Sequence, residues 1–267
     1  MQLLLGLAFA SGIAYLAYRA HSLTRSGAYA AAAVGALVLG IGGWQWAVLL
    51  LTFFISSSAL TRMFGAQKRG LEDTYSKAGS RDAAQVLSNG GIPALFATMH
   101  AFFPDQSWPW IGFAGALAAV NADTWATELG ALNPTPPRRI TDLRKQVEKG
   151  ISGGVSAIGT LASLAGAGLI ALIAATLSPL PYPLLALLPT FALISVAGFT
   201  GALFDSLLGA TVQAMYFCPQ DQKETERHPI HTCGAQTVHV RGWKWLDNDA
   251  VNIACGAVGA LLALVLI

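Results

Sequence analysis

The stretch Asn121-Ala-Asp123-Thr124-Trp125-Ala-Thr127-Glu128-Leu-Gly130 closes an apolar run that begins near Trp110 and is otherwise long enough to cross a bilayer. A carboxylate inside such a run costs roughly 2.5–3.5 kcal/mol at the helix centre, so by default it marks function. Two acids, an asparagine and two threonines within so few residues demand an internal, protein-lined environment. The rest of the chain must provide it. Only 11% of the 267 residues are charged and 54% are hydrophobic, where soluble domains carry about 25% charge. The chain is therefore expected to be an all-α, polytopic membrane protein forming one integral membrane domain over 1–267. A net charge of +2 gives no reason to expect a nucleic-acid partner.

A crossing needs about 20 apolar residues. Runs of that kind lie near 2–18, 27–43, 45–61, 83–104, 109–131, 153–177, 184–206 and 248–267, which gives about eight transmembrane helices. No Lys or Arg precedes Met1–Tyr18, so that run reads as a first transmembrane helix and not as a cleaved leader. All sixteen Lys and Arg residues fall in the four longer polar segments 19–26, 62–82, 132–152 and 217–247. With eight helices these segments share one side. The positive-inside rule makes that side cytoplasmic and puts both termini outside. The expected location is the cell (inner) membrane, with any site facing the cytoplasm.

With this topology the intramembrane acids fall in the cytoplasmic third. Asp123 and Glu128 end the fifth helix, Asp205 ends the seventh, and Asp247-Asn248-Asp249 with Asn252 begins the eighth. Arg81-Asp82 with Gln85 and Asn89 begins the fourth. Arg81, Gln85 and Asn89 share one helical stripe, whereas Asp123 and Glu128 are about 140° apart, so the polar arc of the fifth helix is wide. Asn121 and the threonines also read as interhelical glue, a common use of such residues in membrane bundles. Acids converging on a cytoplasmic pocket, with Lys68, Arg69, Arg81 and Lys149 on adjoining loops, point to phosphate chemistry, in which Mg²⁺ takes carboxylate and phosphate oxygens. Lys149-Gly150-Ile-Ser152-Gly153-Gly154 precedes a helix, where free N–H groups suit an anion. The GxxxxGK[ST] order of a Walker A loop is absent, and Ser152 serves equally as a helix cap. In the last polar segment Cys218, His228, His231 and Cys233 offer two thiols and two imidazoles, a donor set for tetrahedral Zn²⁺. Their spacing fits no usual finger, and unbonded side chains remain the alternative.

Five ordered motifs carry a resemblance: Ser80–Gly91, Asn121–Gly130, Gly150–Ser156, Phe204–Gln213 and Asp247–Asn252. Over roughly residues 20–265 the chain resembles the transmembrane protein nineteen-like family, which includes the plant phytyl-phosphate kinase of vitamin E synthesis. The resemblance implies a kinase that converts an isoprenoid (phytyl- or geranylgeranyl-type) monophosphate to the diphosphate with CTP or another nucleoside triphosphate and Mg²⁺. On that reading Asp123, Asp205 and Asp249 are expected to hold Mg²⁺. Arg81, Lys68 and Lys149 are expected to hold phosphates, and Glu128 or Asp82 to orient the acceptor. Arg69, Gln85, Asn89, Ser152, Gly153, Gly154, Asn248 and Asn252 complete the expected phosphate and nucleotide contacts. The alternative is a secondary transporter for a small anion or lipid phosphate, built on a seventh helix broken at Gly198 and Gly201 and kinked at Pro189.

Overall fold

The eight apolar runs form eight long helices in the computed structural model, which describes residues 2–65, 79–179 and 186–267. They are α1 (Gln2–Arg19), α2 (Arg25–Leu37), α3 (Trp44–Phe64), α4 (Ala83–His100), α5 (Trp108–Gly130), α6 (Ala157–Thr176), α7 (Leu187–Thr211) and α8 (Asn248–Val265). A π-helical turn, Val38–Gly42, extends α2. Among the described residues five helices are long and apolar enough to cross a membrane: α2 with its π-helical turn, α3, α6, α7 and α8. The other three are diluted by polar residues, Gln2 and Arg19 in α1, Gln85, Ser88 and Asn89 in α4, and Asn121 to Glu128 in α5.

Helix α5 is the axis. Every residue from Pro109 to Ala122 is buried, as expected for a helix apolar all round, and α3, α4, α6, α7 and α8 surround it. Small residues let the backbones approach, the usual driving contact between helices in lipid. A Cβ at Gly259 would lie 2.5 Å from Ala119 Cβ, and one at Gly198 the same distance from Ala118 Cβ. The α6 face carrying Gly159, Ser163 and Gly166 packs on α5: Gly159 meets Gly130, and Gly166 meets Asn121 and Trp125. Near the far end Trp46, Trp110 and Phe113 pack ring against ring, and Trp110 Nε1 donates to Ala174 O at 3.2 Å.

Two expectations change here. Helix α7 runs unbroken through Gly198 and Gly201, because those glycines admit α5 and α8 instead of unwinding the helix. The chain is mostly helical but not all-α. In the third long loop β1 (Arg138–Arg139) pairs with β2 (Asp142–Gln146) and β3 (Gly154–Val155) in the order β2-β1-β3. In the fourth, β4 (Met215–Cys218) lies between β5 (Lys223–Thr225) and β6 (Val238–Arg241). Pairing satisfies backbone groups that a packed loop would otherwise leave without partners. Arg241 ties the second sheet to α7 by donating to Gly209 O at 2.9 Å. Burial pulls the pKa of this guanidinium down, and Glu224, 3.9 Å away, opposes the shift.

The four basic loops meet at one end of the bundle. Leu23 bridges Arg81 between the first and second loops, Arg62 donates to Ala20 O, and Ser152 of the third donates to Glu226 of the fourth.

Candidate functional site

At that loop-bearing end a polar cavity of about 670 Å³ opens between α3, α4, α5, α6, α7 and α8. Of the residues expected from sequence, Arg81, Gln85, Asn89, Asp123, Glu128, Lys149, Ser152, Gly153, Gly154, Asp205, Asn248 and Asn252 line it. Lys68 and Arg69 lie outside the described residues.

Two acids do not line the cavity. Asp82 caps α4: its Oδ1 accepts from Gln85 N at 3.0 Å, and its own N–H donates to Gln85 Oε1 at 3.1 Å. This reciprocal capping box satisfies two N-terminal donors of the helix, and it fixes the side chain on the helix end. Asp249 sits in the first turn of α8, one residue beyond Asn248. That step rotates it about 100° from Asn248 and about 60° from Asn252.

The carboxylates that remain form two groups. Asp123 on α5 and Asp205 on α7 line the cavity together with Glu226, near enough for their charges to interact. Asp205 Oδ2 is buried without a hydrogen-bond partner among the described residues. Glu226 arrives from the loop after β5; its Oε1 accepts from Gln213 Nε2 at 3.0 Å and from Ser152 Oγ. Three carboxylates with an unsatisfied buried oxygen make an all-oxygen donor set of the kind Mg²⁺ takes. Buried charges of this sort are otherwise paired or neutralised.

Glu128 belongs to the other group. Its Oε1 accepts from Thr61 Oγ1 at 3.0 Å, and its charge acts on Arg81. The Arg81 guanidinium also reaches Ser58 Oγ at 3.4 Å and lies 5.8 Å from the Phe53 ring centroid. Its backbone is fixed by bonds to Ser22 O and from Thr24 N, each 3.0 Å. Asn121 lies deeper and knits α3, α5 and α6 together, donating to Gly166 O at 2.8 Å and accepting from Ser56 Oγ at 3.2 Å.

The glycine-rich segment lines the cavity as a turn and short strand, and not as the first turn of α6. The helix begins only at Ala157, capped by Ser156, whose Oγ accepts from Gly159 N at 3.1 Å. Ser152 is thus not the cap. Lys149 Nζ donates to Asn133 O at 2.6 Å and Ala131 O at 3.3 Å, holding the loop on the C-terminal end of α5, where a cation is favoured. Gly153 has φ +84° and lies flush against the backbone of Ala210. Gly153→Ala is expected to cost at least about 2 kcal/mol through left-handed strain and overpacking. Thermal unfolding in detergent would read this as a lowered midpoint.

A second cavity, about 600 Å³ and almost wholly apolar, lies beside the first between α1, α2, α3 and α4. It runs from Gln2, Gly43 and Trp44 to Arg81, Gln85 and Asn89, and these last three line both cavities. The predicted zinc set also changes. His228 stacks on Tyr216 with ring centroids 4.5 Å apart, and Asp221 takes its place beside Cys218, His231 and Cys233.

Residues 8–260 match the family model described as integral membrane protein DUF92. Protein PGR of Arabidopsis thaliana is 34% identical over 94% of this chain and 91% of its own length. Uncharacterized membrane protein MJ0933 of Methanocaldococcus jannaschii is 32% identical over 74% of this chain and 78% of its own. Protein VTE6, chloroplastic, of Arabidopsis thaliana is 24% identical over 91% of this chain and 65% of its own. No solved structure matches. The chain belongs to the integral membrane protein family DUF92.

Proposed function

We propose that the protein is a membrane kinase that transfers a phosphoryl group from CTP or another nucleoside triphosphate to an isoprenoid monophosphate, giving the diphosphate. The observation that carries this reading is the meeting of an apolar and a polar cavity at Arg81, Gln85 and Asn89. A lipid phosphate has this division built into it: a chain that prefers the first cavity and a phosphate that needs the second. Both volumes lie within the roughly 300–1,000 Å³ of small-molecule sites. The five motifs resembling the phytyl-phosphate kinase group supply the reaction. All five contribute residues to the walls of the polar cavity, Phe204–Gln213 through Asp205 and Ser206.

In this reading all eight helices cross the membrane, and the loop-bearing end faces the cytoplasm, where nucleotide is available. Asp123, Asp205 and Glu226 would hold Mg²⁺, which when bound neutralises phosphate charge and aligns the donor. Arg81, anchored at its backbone and lying 5.8 and 5.9 Å from the Phe53 and Phe54 ring centroids, grips the acceptor phosphate at the boundary of the cavities. An acceptor oxygen attacks the γ-phosphorus, the bond from that phosphorus to the β-bridging oxygen breaks, and the nucleoside diphosphate leaves with the electron pair. The monoester is already anionic, so the step needs no general base. Glu128 orients Arg81, and the glycine-rich turn with Lys149 covers the nucleotide phosphates.

Purified protein given geranylgeranyl or phytyl monophosphate, CTP and Mg²⁺ is expected to form the diphosphate, detected by mass spectrometry. Absence of nucleotide and Mg²⁺ binding, together with substrate-dependent flux into liposomes, would establish a transporter instead. The unbroken α7 already lacks the discontinuous helix that such carriers use.

A further inference from the structure

We infer that Cys218, Asp221, His231 and Cys233 form a structural Zn²⁺ site that clips together the loop carrying Glu226. The inference does not depend on the reaction assigned to the cavity. Their ligand atoms all lie within 4.8 Å of one another. Cys218 Sγ is 3.5 Å from Cys233 Sγ, His231 Nδ1 is 3.4 Å from Cys233 Sγ, and His231 Nδ1 is 2.9 Å from Asp221 Oδ2. A tetrahedral zinc with bonds of about 2.3 Å to sulfur and about 2.0–2.1 Å to nitrogen and oxygen requires about 3.7 Å between sulfurs and about 3.5 Å from sulfur to nitrogen. The His231–Asp221 pair, now 2.9 Å apart, would widen to about 3.3 Å around the metal, and the two separations that involve sulfur already fall close to these values. They do not fit a disulfide, whose sulfurs stand about 2.05 Å apart.

Each half of the donor set is presented by a tight turn. Cys218 ends β4 and the chain reverses through Asp221, whose N–H donates to Cys218 Sγ at 3.4 Å before β5 returns. This gives a Cys-x2-Asp arm, with the spacing of the usual Cys-x2-Cys arm and a carboxylate in the second place. The other arm is His231-x-Cys233. It lies inside a turn closed by the Ile230–Gln236 bridge and by His231 N donating to Ala235 O at 2.9 Å, with Gly234 at φ +86°. Cys218 and His231 are buried, at 0% and 3% exposure. Two thiols, an imidazole and a carboxylate gathered this closely are the softer, mixed donor set that selects zinc over Mg²⁺. Between the two arms in sequence lie β5 and Glu226. The metal would therefore hold the strand that delivers Glu226 to the cavity, 218 to 221 on one side and 231 to 233 on the other.

The test is metal analysis of the purified full-length protein with any affinity tag removed. About one zinc per chain is expected, and cobalt-exchanged protein should show thiolate-to-cobalt charge transfer and tetrahedral d–d bands. His228→Ala should keep the metal, and Asp221→Ala and Cys218→Ser should lower its occupancy at least about tenfold. Wild-type protein that elutes as a single species but carries less than about a tenth of an equivalent of zinc, with no cobalt spectrum, would overturn the site. So would a mass two hydrogens lower that marks a Cys218–Cys233 disulfide. Loss of metal in His228→Ala equal to that in Cys218→Ser would overturn this donor set. If Cys218→Ser fails to fold, the wild-type stoichiometry and cobalt spectrum decide alone.

Discussion

Asp205→Asn is expected to remove the proposed kinase turnover while leaving the fold as stable as before or firmer. The substitution keeps the shape of the side chain and deletes one charge. In the folded protein that charge lines the same cavity as Asp123 and Glu226, with Oδ2 buried and unpartnered among the described residues. Repulsion between like charges in a buried site disfavours the ionised, folded state, so neutralising one of them relieves the bundle when no cation is present. Relief of about 1 kcal/mol would raise the unfolding midpoint by roughly 2–4 °C for a chain of this size. Turnover should move the other way, by about 10²–10³-fold or more, the usual consequence of deleting one preorganised electrostatic contact to the reacting groups. Mg²⁺ should separate the two proteins as well. A ligand at 100 times its Kd stabilises the folded state by about 2.7 kcal/mol, so Mg²⁺ should raise the wild-type midpoint and leave that of Asp205→Asn nearly unmoved. An Asp205→Asn protein with wild-type turnover and an unchanged Mg²⁺ response would remove this carboxylate from the metal.

The helices and most of the polar wall were legible because both follow from local pattern. Apolar length marks a helix, and a costly acid at its end marks a cavity. Arg81, Gln85 and Asn89 repeat at four residues, so the stripe was visible before any neighbour was known. Asp82 lies off the cavity wall for a reason equally local. Asp82-x-x-Gln85 carries the capping-box signature, and the cap, not the cavity, claims the carboxylate. Glu226 was missed because it lies in a long polar loop where an acid is the default residue. Only the pairing of β4 with β5 turns it back toward Ser152 and Gln213. Asp221 escaped for the same reason, since a search among Cys and His residues passes over a carboxylate in a turn. The apolar cavity left the faintest trace. It lies beside a close contact, where a Cβ at Gly6 would be 2.9 Å from Gly40 N and one at Gly35 3.0 Å from Ala10 Cβ, and Ala14, Ala31 and Ala47 line it as well. In sequence these are the same small residues that elsewhere let helices touch, and nothing local separates a gap from a contact.

On the proposed reaction, Ala47→Trp is expected to shift substrate preference from long isoprenoid phosphates toward short ones. Ala47 lines the apolar cavity on α3, seven residues before Phe54, which lies near the Arg81 guanidinium. At 1.5 Å per residue that is about 10 Å from the phosphate end. An indole at this depth leaves room for a short chain and meets a twenty-carbon chain part-way along it. The size of the effect follows from what the chain can do instead. A chain excluded from the cavity can lie in lipid, which is as apolar as the cavity wall, so no hydrophobic term separates the two locations. What remains is steric, about 1–3 kcal/mol for forcing extra volume into a packed site, or roughly 10–100-fold. The ratio of kcat/KM for geranylgeranyl over dimethylallyl monophosphate should fall by that factor, with the dimethylallyl value itself nearly unchanged. Equal losses on both substrates would mean a damaged fold, which the unfolding midpoint would reveal independently. No change in the ratio, in a variant that folds, would mean that the chain stays in the bilayer and only the phosphate enters the protein. The apolar cavity would then be a gap between α1 and its neighbours and not part of the substrate site.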